Sequence, residues 1–294
     1  MKIFKIKRQA PNVFVSEKKN IAVQGYQGSF HQAAAEIFFQ KKANLIYYPS
    51  FADVVKNTER KDEIYAGVMA IENSIAGSII PNYTLLKQSN LHIIGEVYLK
   101  INQCLLANPG VRVQDIRQVY SHPMAIQQSL QFLDKFKWDL IETNDTALSA
   151  KYISQHKKKH SAAIASKISA KLYGLDILSA NIQTKKNNYT RFLILQNADR
   201  AKEIVDANKA SIYFSPKQLG KDLAKILLLF KEEKITLKNL QSIPVPDSNF
   251  EYGFHVDLLF QKSGQFFSIL KKMKPFIAEI KIYGVYSADK LAII

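Results

Sequence analysis

From residue 21 onward the apolar positions switch between two periods. Residues 21–24 (IAVQ), 45–48 (LIYY) and 64–71 (IYAGVMAI) are short apolar runs that read as strands. The third is apolar throughout, as a strand buried on both faces would be. Each is followed by helical spacing: through 33–39 after a glycine-containing turn, over 51–58, and around 79–88. This β-α-β-α order predicts a mostly parallel sheet covered on both faces.

Residues 91–106 (LHIIGEVYLKINQCLL) are long for one strand and are read as crossing from one lobe to another. A second series follows: strand 117–120, helix 123–136, strand 138–142, helix around 146–156 and strand 162–165. The chain then returns through 174–182 to a strand at 191–195. The fold class predicted is α/β, with two lobes joined by crossing strands and a cleft between them. Small ligands commonly bind in such a cleft, beyond the carboxyl ends of the strands.

The pattern changes after residue 197. Residues 199–209 are polar and charged and read as a linker. Beyond them come strand 211–214, helix 219–231, strand 236–243, strand 252–260, helix 265–274 and strand 280–286. That βαββαβ order is the ferredoxin-like layout. The expected boundaries are a basic extension at 1–20, a catalytic domain at 21–198, the linker and a second domain at 210–288. Within the catalytic domain, lobe 1 takes about 21–96 plus 181–198, and lobe 2 about 97–180.

Composition narrows the classes further. The chain has 294 residues, 47% of them hydrophobic, ordinary for a globular protein. Its densest apolar stretch, 226–230 (ILLLF), is far too short to span a membrane. The N-terminus lacks the apolar segment of a secretory signal. The single cysteine, Cys104, lies in an apolar setting that predicts a buried, inert thiol, and a cytoplasmic home follows. The formal charge of +16 is concentrated partly at the start, where six lysines and arginines face only Glu17 within nineteen residues. No helix-turn-helix, RNP-type or zinc-finger pattern accompanies that charge, so a solvated basic surface is favoured over nucleic-acid binding.

Four motifs could carry chemistry. In 187–192 (NNYTRF) an irregular strand end would let Thr190 and Arg191 reach one ligand, the guanidinium gripping a carboxylate and the hydroxyl serving a leaving oxygen. A regular strand would point them apart. In 70–78 (AIENSIAGS) a buried strand ends in Glu72, Asn73 and Ser74, where side chains and N–H groups can face a cleft. In 25–34 (GYQGSFHQAA) a turn bearing Gly28 and Ser29 could cradle an anion, though its glycine spacing is not that of a dinucleotide fold. In 120–129 (YSHPMAIQQS), Ser121 and Gln128 could project toward the same cleft. Taken singly, each motif reads at least as well as ordinary turn, cap or strand chemistry. His156 and His160 have the spacing of a metal pair, but three intervening lysines argue for a solvated face, and no metal site is expected.

Together and in order, these motifs resemble the prephenate dehydratase family. The matching segments are Gly25–Phe30, Ile71–Ser74, Gly95–Val97, Tyr120–Pro123, Tyr173–Leu175 and Asn188–Phe192. The resemblance implies two lobes like those of periplasmic binding proteins, followed by an ACT regulatory domain. The implied reaction converts prephenate to phenylpyruvate, carbon dioxide and water on the route to phenylalanine, with no cofactor. It assigns Thr190 to the leaving hydroxyl and Arg191 to a carboxylate. Asn73, Ser74, Ser121, Gln128, Gly28 and Ser29 would hold the substrate, and Phe192 would be a wall or core residue. Glu72 is either an acid or a supporting residue.

Departures from the family pattern stand at Tyr26, His31, Met124 and Asp145. In the ACT domain the family's Glu-Ser-Arg-Pro is Gln241, Ser242, Ile243 and Pro244, and Lys221-Asp222-Leu223-Ala224 replaces Gly-Ala-Leu-Val. Phenylalanine is the expected effector through Leu223, Gln241, Ser242, Ile243 and Pro244, and edge-to-edge pairing predicts a homodimer or homotetramer. The competing readings are an arogenate dehydratase, a silent amino-acid sensor and, from charge alone, a nucleic-acid-binding protein.

Overall fold

The structure is a computed structural model that describes residues 18–202, 206–245 and 251–293. The expected basic extension lies largely outside those residues, and its last two positions already belong to the first strand. Three sheets organise the described residues. The first is built from β1 (Lys19–Gln24), β2 (Ala43–Tyr48), β3 (Ile64–Asn73), β4 (Gly77–Ser78), β5 (Leu91–Lys100) and β11 (Tyr189–Asn197), in the order β2-β1-β3-β11-β5 with β4 beside β3. Strands β1, β2 and β3 are parallel, as expected from the helices α1 (Phe30–Phe39) and α2 (Phe51–Arg60) between them. Strand β11 is antiparallel to both its neighbours, because it brings the chain back from the second lobe. Helix α3 (Ile80–Gln88) packs beside β3.

The second sheet has the order β10-β6-β9-β7-β8, from β6 (Cys104–Ala107), β7 (Gln118–Ser121), β8 (Asp139–Glu142), β9 (Ser161–Ala165) and β10 (Asp176–Ala180). The single strand expected over 91–106 is two. Strand β5 stays wholly in the first sheet, and the chain crosses at 101–103, where Ile101 N–H is taken by the Asn188 carbonyl and Gln103 N–H by Gln183 Oε1. Lobe 2 thus begins past residue 100, not near 97. The helix expected over 123–136 is also divided, into α4 (Pro123–Gln128) and α5 (Leu130–Leu133). The Gln128 carbonyl that would continue the ladder is occupied instead by Thr184 N–H. Helix α6 (Thr146–Gln155) matches expectation, and a short helix α7 (Lys167–Tyr173), capped by Ser166, was not foreseen. Cys104 is fully buried, and burial pushes its thiol pKa up, so it is inert as expected.

The third sheet, β13-β14-β12-β15, comprises β12 (Lys209–Pro216), β13 (Thr236–Pro244), β14 (Tyr252–Leu259) and β15 (Ile277–Tyr286), all antiparallel neighbours. Helices α8 (Leu219–Glu232) and α9 (Ser263–Met273) pack on one face around Phe214, Ile226, Phe230 and Phe266. The other face is not left to solvent. Tyr213, Ile243, Tyr283 and Tyr286 join Met69, Ile71, Ile93, Leu193 and Leu195 of the first lobe in one apolar cluster. Contact there is tight enough that a Cβ on Gly284 would overlap the Ile93 carbonyl. The linker expected over 199–209 ends early: Lys209 is the first residue of β12 and has no exposed surface.

Candidate active site

A bulge decides which side chains meet. Strand β11 is regular from Tyr189, so Thr190 and Arg191 point to opposite faces of the first sheet. Opposite them the β3 register slips at Ile71, pairing Arg191 with Glu72 and Thr190 with Asn73. One cross-strand pair therefore faces the meeting point of the lobes and the other faces the C-terminal unit.

On the lobe side three carboxamides form a closed ring. Asn73 Nδ2 donates to Asn188 Oδ1 at 2.7 Å, Asn188 Nδ2 to Gln128 Oε1 at 2.8 Å, and Gln128 Nε2 to Asn73 Oδ1 at 3.4 Å. Asn73 comes from lobe 1, Gln128 from lobe 2 and Asn188 from the returning segment between them. The orientation of the Asn73 amide is fixed independently, because its Oδ1 also accepts from the backbone N–H of Ile75 and Ala76 at 3.0 and 2.9 Å. Its Nδ2 is then the donor to Thr190 Oγ1, 3.0 Å away, a hydrogen it shares with the Tyr189 carbonyl at 3.1 Å. Thr190 is left with its own proton to give, and it is only partly buried. Ser74 serves the frame: its hydroxyl donates to the Asn187 carbonyl at 3.2 Å and accepts from Tyr189 N–H at 2.9 Å.

The lobes also meet at the first βα turn. The Gly28 carbonyl accepts from Ser166 Oγ at 2.7 Å and from Ser169 Oγ at 3.0 Å, and Tyr173 OH donates to the Gln27 carbonyl at 2.7 Å. Gly28 has φ of +92°, and a Cβ there would lie 2.6 Å from Ser169 Oγ, so only glycine suits the turn. Its N–H is held by Gln32 Oε1 at 2.7 Å, and Ser29 is buried as the cap of α1. Both act as scaffold here. Asp145, from lobe 2, caps α6 and faces Gly25; burial pushes its carboxyl pKa up.

Several expected ligands are not brought to this place. Ser121 has no exposed surface and spends its hydroxyl on the Ile164 carbonyl at 2.7 Å. Phe192 is a core residue of lobe 1, one of the two places expected for it, and its ring lies 5.0 Å from that of the partly buried His31. Arg191 is the largest correction. It is 3% exposed and faces the C-terminal unit, where Nε donates to Glu96 at 2.8 Å, both terminal nitrogens bind Asp257, and Nη2 reaches Tyr286 OH at 3.0 Å. Four of its five N–H groups are spent there, and the guanidinium is turned away from the amide ring. Burial alone would lower its pKa, but Asp257 and Glu96 outweigh that and hold the guanidinium charged. Glu72 follows Arg191 to that face, 4.0 Å from it, and its carboxyl pKa is raised by burial; it is on the wrong side of the sheet to be an acid for Thr190. Leu223 and Ile243 also separate, the first into the helix-side core and the second against lobe 1, while Ser242 and Pro244 lie exposed on the outer strand β13 beside Gln241.

Sequence reasoning did not single out Asn188, Glu96, Lys209 or Asp257. A charged residue inside an otherwise apolar strand, as in GEV and VDLL, is the signal that could have found Glu96 and Asp257, since such charges are buried only when paired. Among the described residues no cluster of three or more histidine, cysteine, aspartate or glutamate side chains could hold a metal.

Comparisons with known proteins bear on the family and the fold. Residues 21–200 match the family described as prephenate dehydratase. The bifunctional chorismate mutase/prephenate dehydratase of Buchnera aphidicola subsp. Acyrthosiphon pisum is 33% identical over 279 residues, spanning 92% of this chain and 72% of that relative. The chloroplastic arogenate dehydratase/prephenate dehydratase 2 of Arabidopsis thaliana is 34% identical, spanning 92% of this chain and 73% of its own. The solved prephenate dehydratase of Staphylococcus aureus subsp. aureus Mu50 superposes with a TM-score of 0.79 at 25% identity, over 91% of this chain and all of that one. A solved quorum-quenching acylase shares the fold with a TM-score of 0.83 at 25% identity, over 93% and 99% of the two chains.

Proposed function

The chain belongs to the prephenate dehydratase family, and we propose from that premise that it converts prephenate to phenylpyruvate with Thr190 at the leaving hydroxyl. The observation that carries this is the hydrogen bond from Asn73 to Thr190 Oγ1, because it uses the oxygen as acceptor and leaves the hydroxyl proton to be donated. In the reaction the ring carbon–oxygen bond breaks and the hydroxyl takes a proton and leaves as water. The bond from the ring to its carboxylate breaks with it, and that electron pair completes the aromatic ring as carbon dioxide departs. No base is needed. A threonine is a feeble acid, so Thr190 relays a proton or steadies the departing oxygen, and placed dipoles supply most of the rate. With Arg191 committed elsewhere, neutral donors about the amide ring hold the side-chain carboxylate. A weakly solvating site suits the ring carboxylate, which must lose its charge.

Arogenate differs from prephenate only by an amino group in place of the keto oxygen, and the Arabidopsis relative's name covers both substrates. The two are separated by kcat/KM measured on each. The C-terminal βαββαβ unit supports regulation by phenylalanine, and its exposed edge strand β13 supports pairing with a second copy. Among the described residues no helix is long and apolar enough to cross a membrane; with buried Cys104, the reading is of a cytoplasmic enzyme. The test of the activity is phenylpyruvate formation by the wild type and by Thr190→Ala. Loss of turnover in a folded variant is expected, and near wild-type turnover would remove Thr190 from the mechanism.

A further inference from the structure

Arg191, Glu96, Lys209 and Asp257 form a cluster sealed between lobe 1 and the C-terminal unit, none of them more than 5% exposed. Lys209 Nζ binds both oxygens of Glu96 at 2.9 and 2.8 Å, and Arg191 bridges Glu96 to Asp257. Ser211 donates to Asp257 and shares a 2.7 Å hydrogen bond with Tyr286 OH, which meets Arg191 in turn. Two cations and two carboxylates balance, so each group is held by the others and none can leave without stranding a charge. The network has two halves: Glu96 and Arg191 stand on β5 and β11, and Lys209, Ser211, Asp257 and Tyr286 on β12, β14 and β15. The Gly284–Ile93 contact removes slack between those halves.

We propose that Arg191 is a positioning residue: the C-terminal unit holds its guanidinium and, through the backbone it shares with Thr190, sets the aim of the Thr190 hydroxyl. The inference rests on the assignment of Thr190 to the dehydration. A displacement of Asp257 relative to Glu96 must be taken up at Arg191, because the guanidinium grips both. Arg191 is the second strand residue after Tyr189, and the residue between them is Thr190. Packed ionic clusters of this kind have discrete arrangements and transmit a shift without absorbing it. Turnover then depends on the seating of the C-terminal unit, although no described residue of that unit is hydrogen-bonded to the amide ring.

The test compares full-length wild type with Tyr286→Phe, Ser211→Ala and Asp257→Asn. The first two each delete two hydrogen bonds and leave every charge in place. Steady-state kcat and KM for phenylpyruvate formation are measured beside thermal melts, well below each melting temperature. The expected result is a fall in kcat of about threefold to tenfold in Tyr286→Phe and Ser211→Ala, with KM within about twofold. Asp257→Asn should fall further; if it does not fold, the other two variants decide. Lower melting temperatures with wild-type kcat would make the cluster a structural clamp alone and overturn the proposal. A wild type inactive on prephenate and arogenate would overturn the functional reading and this one with it, whereas an active wild type with unaffected variants overturns only this one.

Discussion

Asn73 and Thr190 face each other across antiparallel strands, and the amide of the first gives its hydrogen to the hydroxyl of the second at 3.0 Å. The same amide donates to Asn188 and accepts from two backbone N–H groups. Replacing Asn73 by aspartate keeps the shape and the acceptor but removes the donor. It also sets a negative charge beside a substrate with two carboxylates. We predict that Asn73→Asp loses roughly 100-fold in kcat/KM, about 3 kcal/mol of transition-state stabilisation. Far-ultraviolet circular dichroism should remain that of the wild type. Activity within about threefold of wild type would show that the Thr190 proton needs no such alignment.

Gln128 ties lobe 2 to this pair. Removing its amide in Gln128→Ala leaves Asn188 Nδ2 buried without its partner, since Asn188 has no exposed surface. An unsatisfied buried donor costs about 1–3 kcal/mol. The urea midpoint should fall accordingly. KM should rise more than kcat falls, because the bond lost is one that joins the lobes around the ligand. A variant with raised kcat and unchanged KM would contradict that view of the ring.

Much of this was legible beforehand. Strand ends at Ile71–Ser74 and Asn188–Phe192, and the segment up to Gln128, carry polar side chains where apolar runs stop, and they do converge. The two-lobed order and the βαββαβ unit followed from periodicity alone. What failed was direction. Whether Thr190 and Arg191 share a face depends on the regularity of β11, and whether Glu72 follows one or the other depends on the bulge at Ile71. Neither leaves a mark in composition. Lys209 failed for another reason. A lysine among polar residues reads as solvated, and its partner Glu96 is 113 positions away. Charge pairs of such separation become visible only when the sheets are stacked.

The docking of the C-terminal unit can be tested at a single backbone position. Gly284 on β15 lies against the Ile93 carbonyl of β5, and a Cβ would overlap that oxygen. Both atoms belong to paired strands, so neither can move cheaply. Gly284→Ala should lower stability by about 1–3 kcal/mol and loosen the interface. The thermal midpoint should fall. Amide hydrogen exchange should rise in β5 and β15 while β6 to β10 stay protected. Unchanged exchange across β5 would mean that the contact is dispensable.

His255 gives the interface a dependence on pH. It lies on β14, 1% exposed, with Nδ1 hydrogen-bonded to Tyr283 OH at 2.8 Å and its ring against Tyr83, Tyr213 and Tyr283. Burial lowers its pKa from 6.5 to about 3; Lys87 pushes the same way and Asp257 opposes. The unfolded chain therefore takes up a proton first as pH falls. The stability tied to neutral His255 is complete above pH 6.5 and drains away as pH drops toward 3. Between pH 6.5 and 5 the loss from this group is about 2 kcal/mol. His255→Gln removes the titration, so its urea-unfolding free energy should vary less with pH than that of the wild type by that amount. Parallel pH profiles for the two proteins would show that His255 already carries its proton in the folded state.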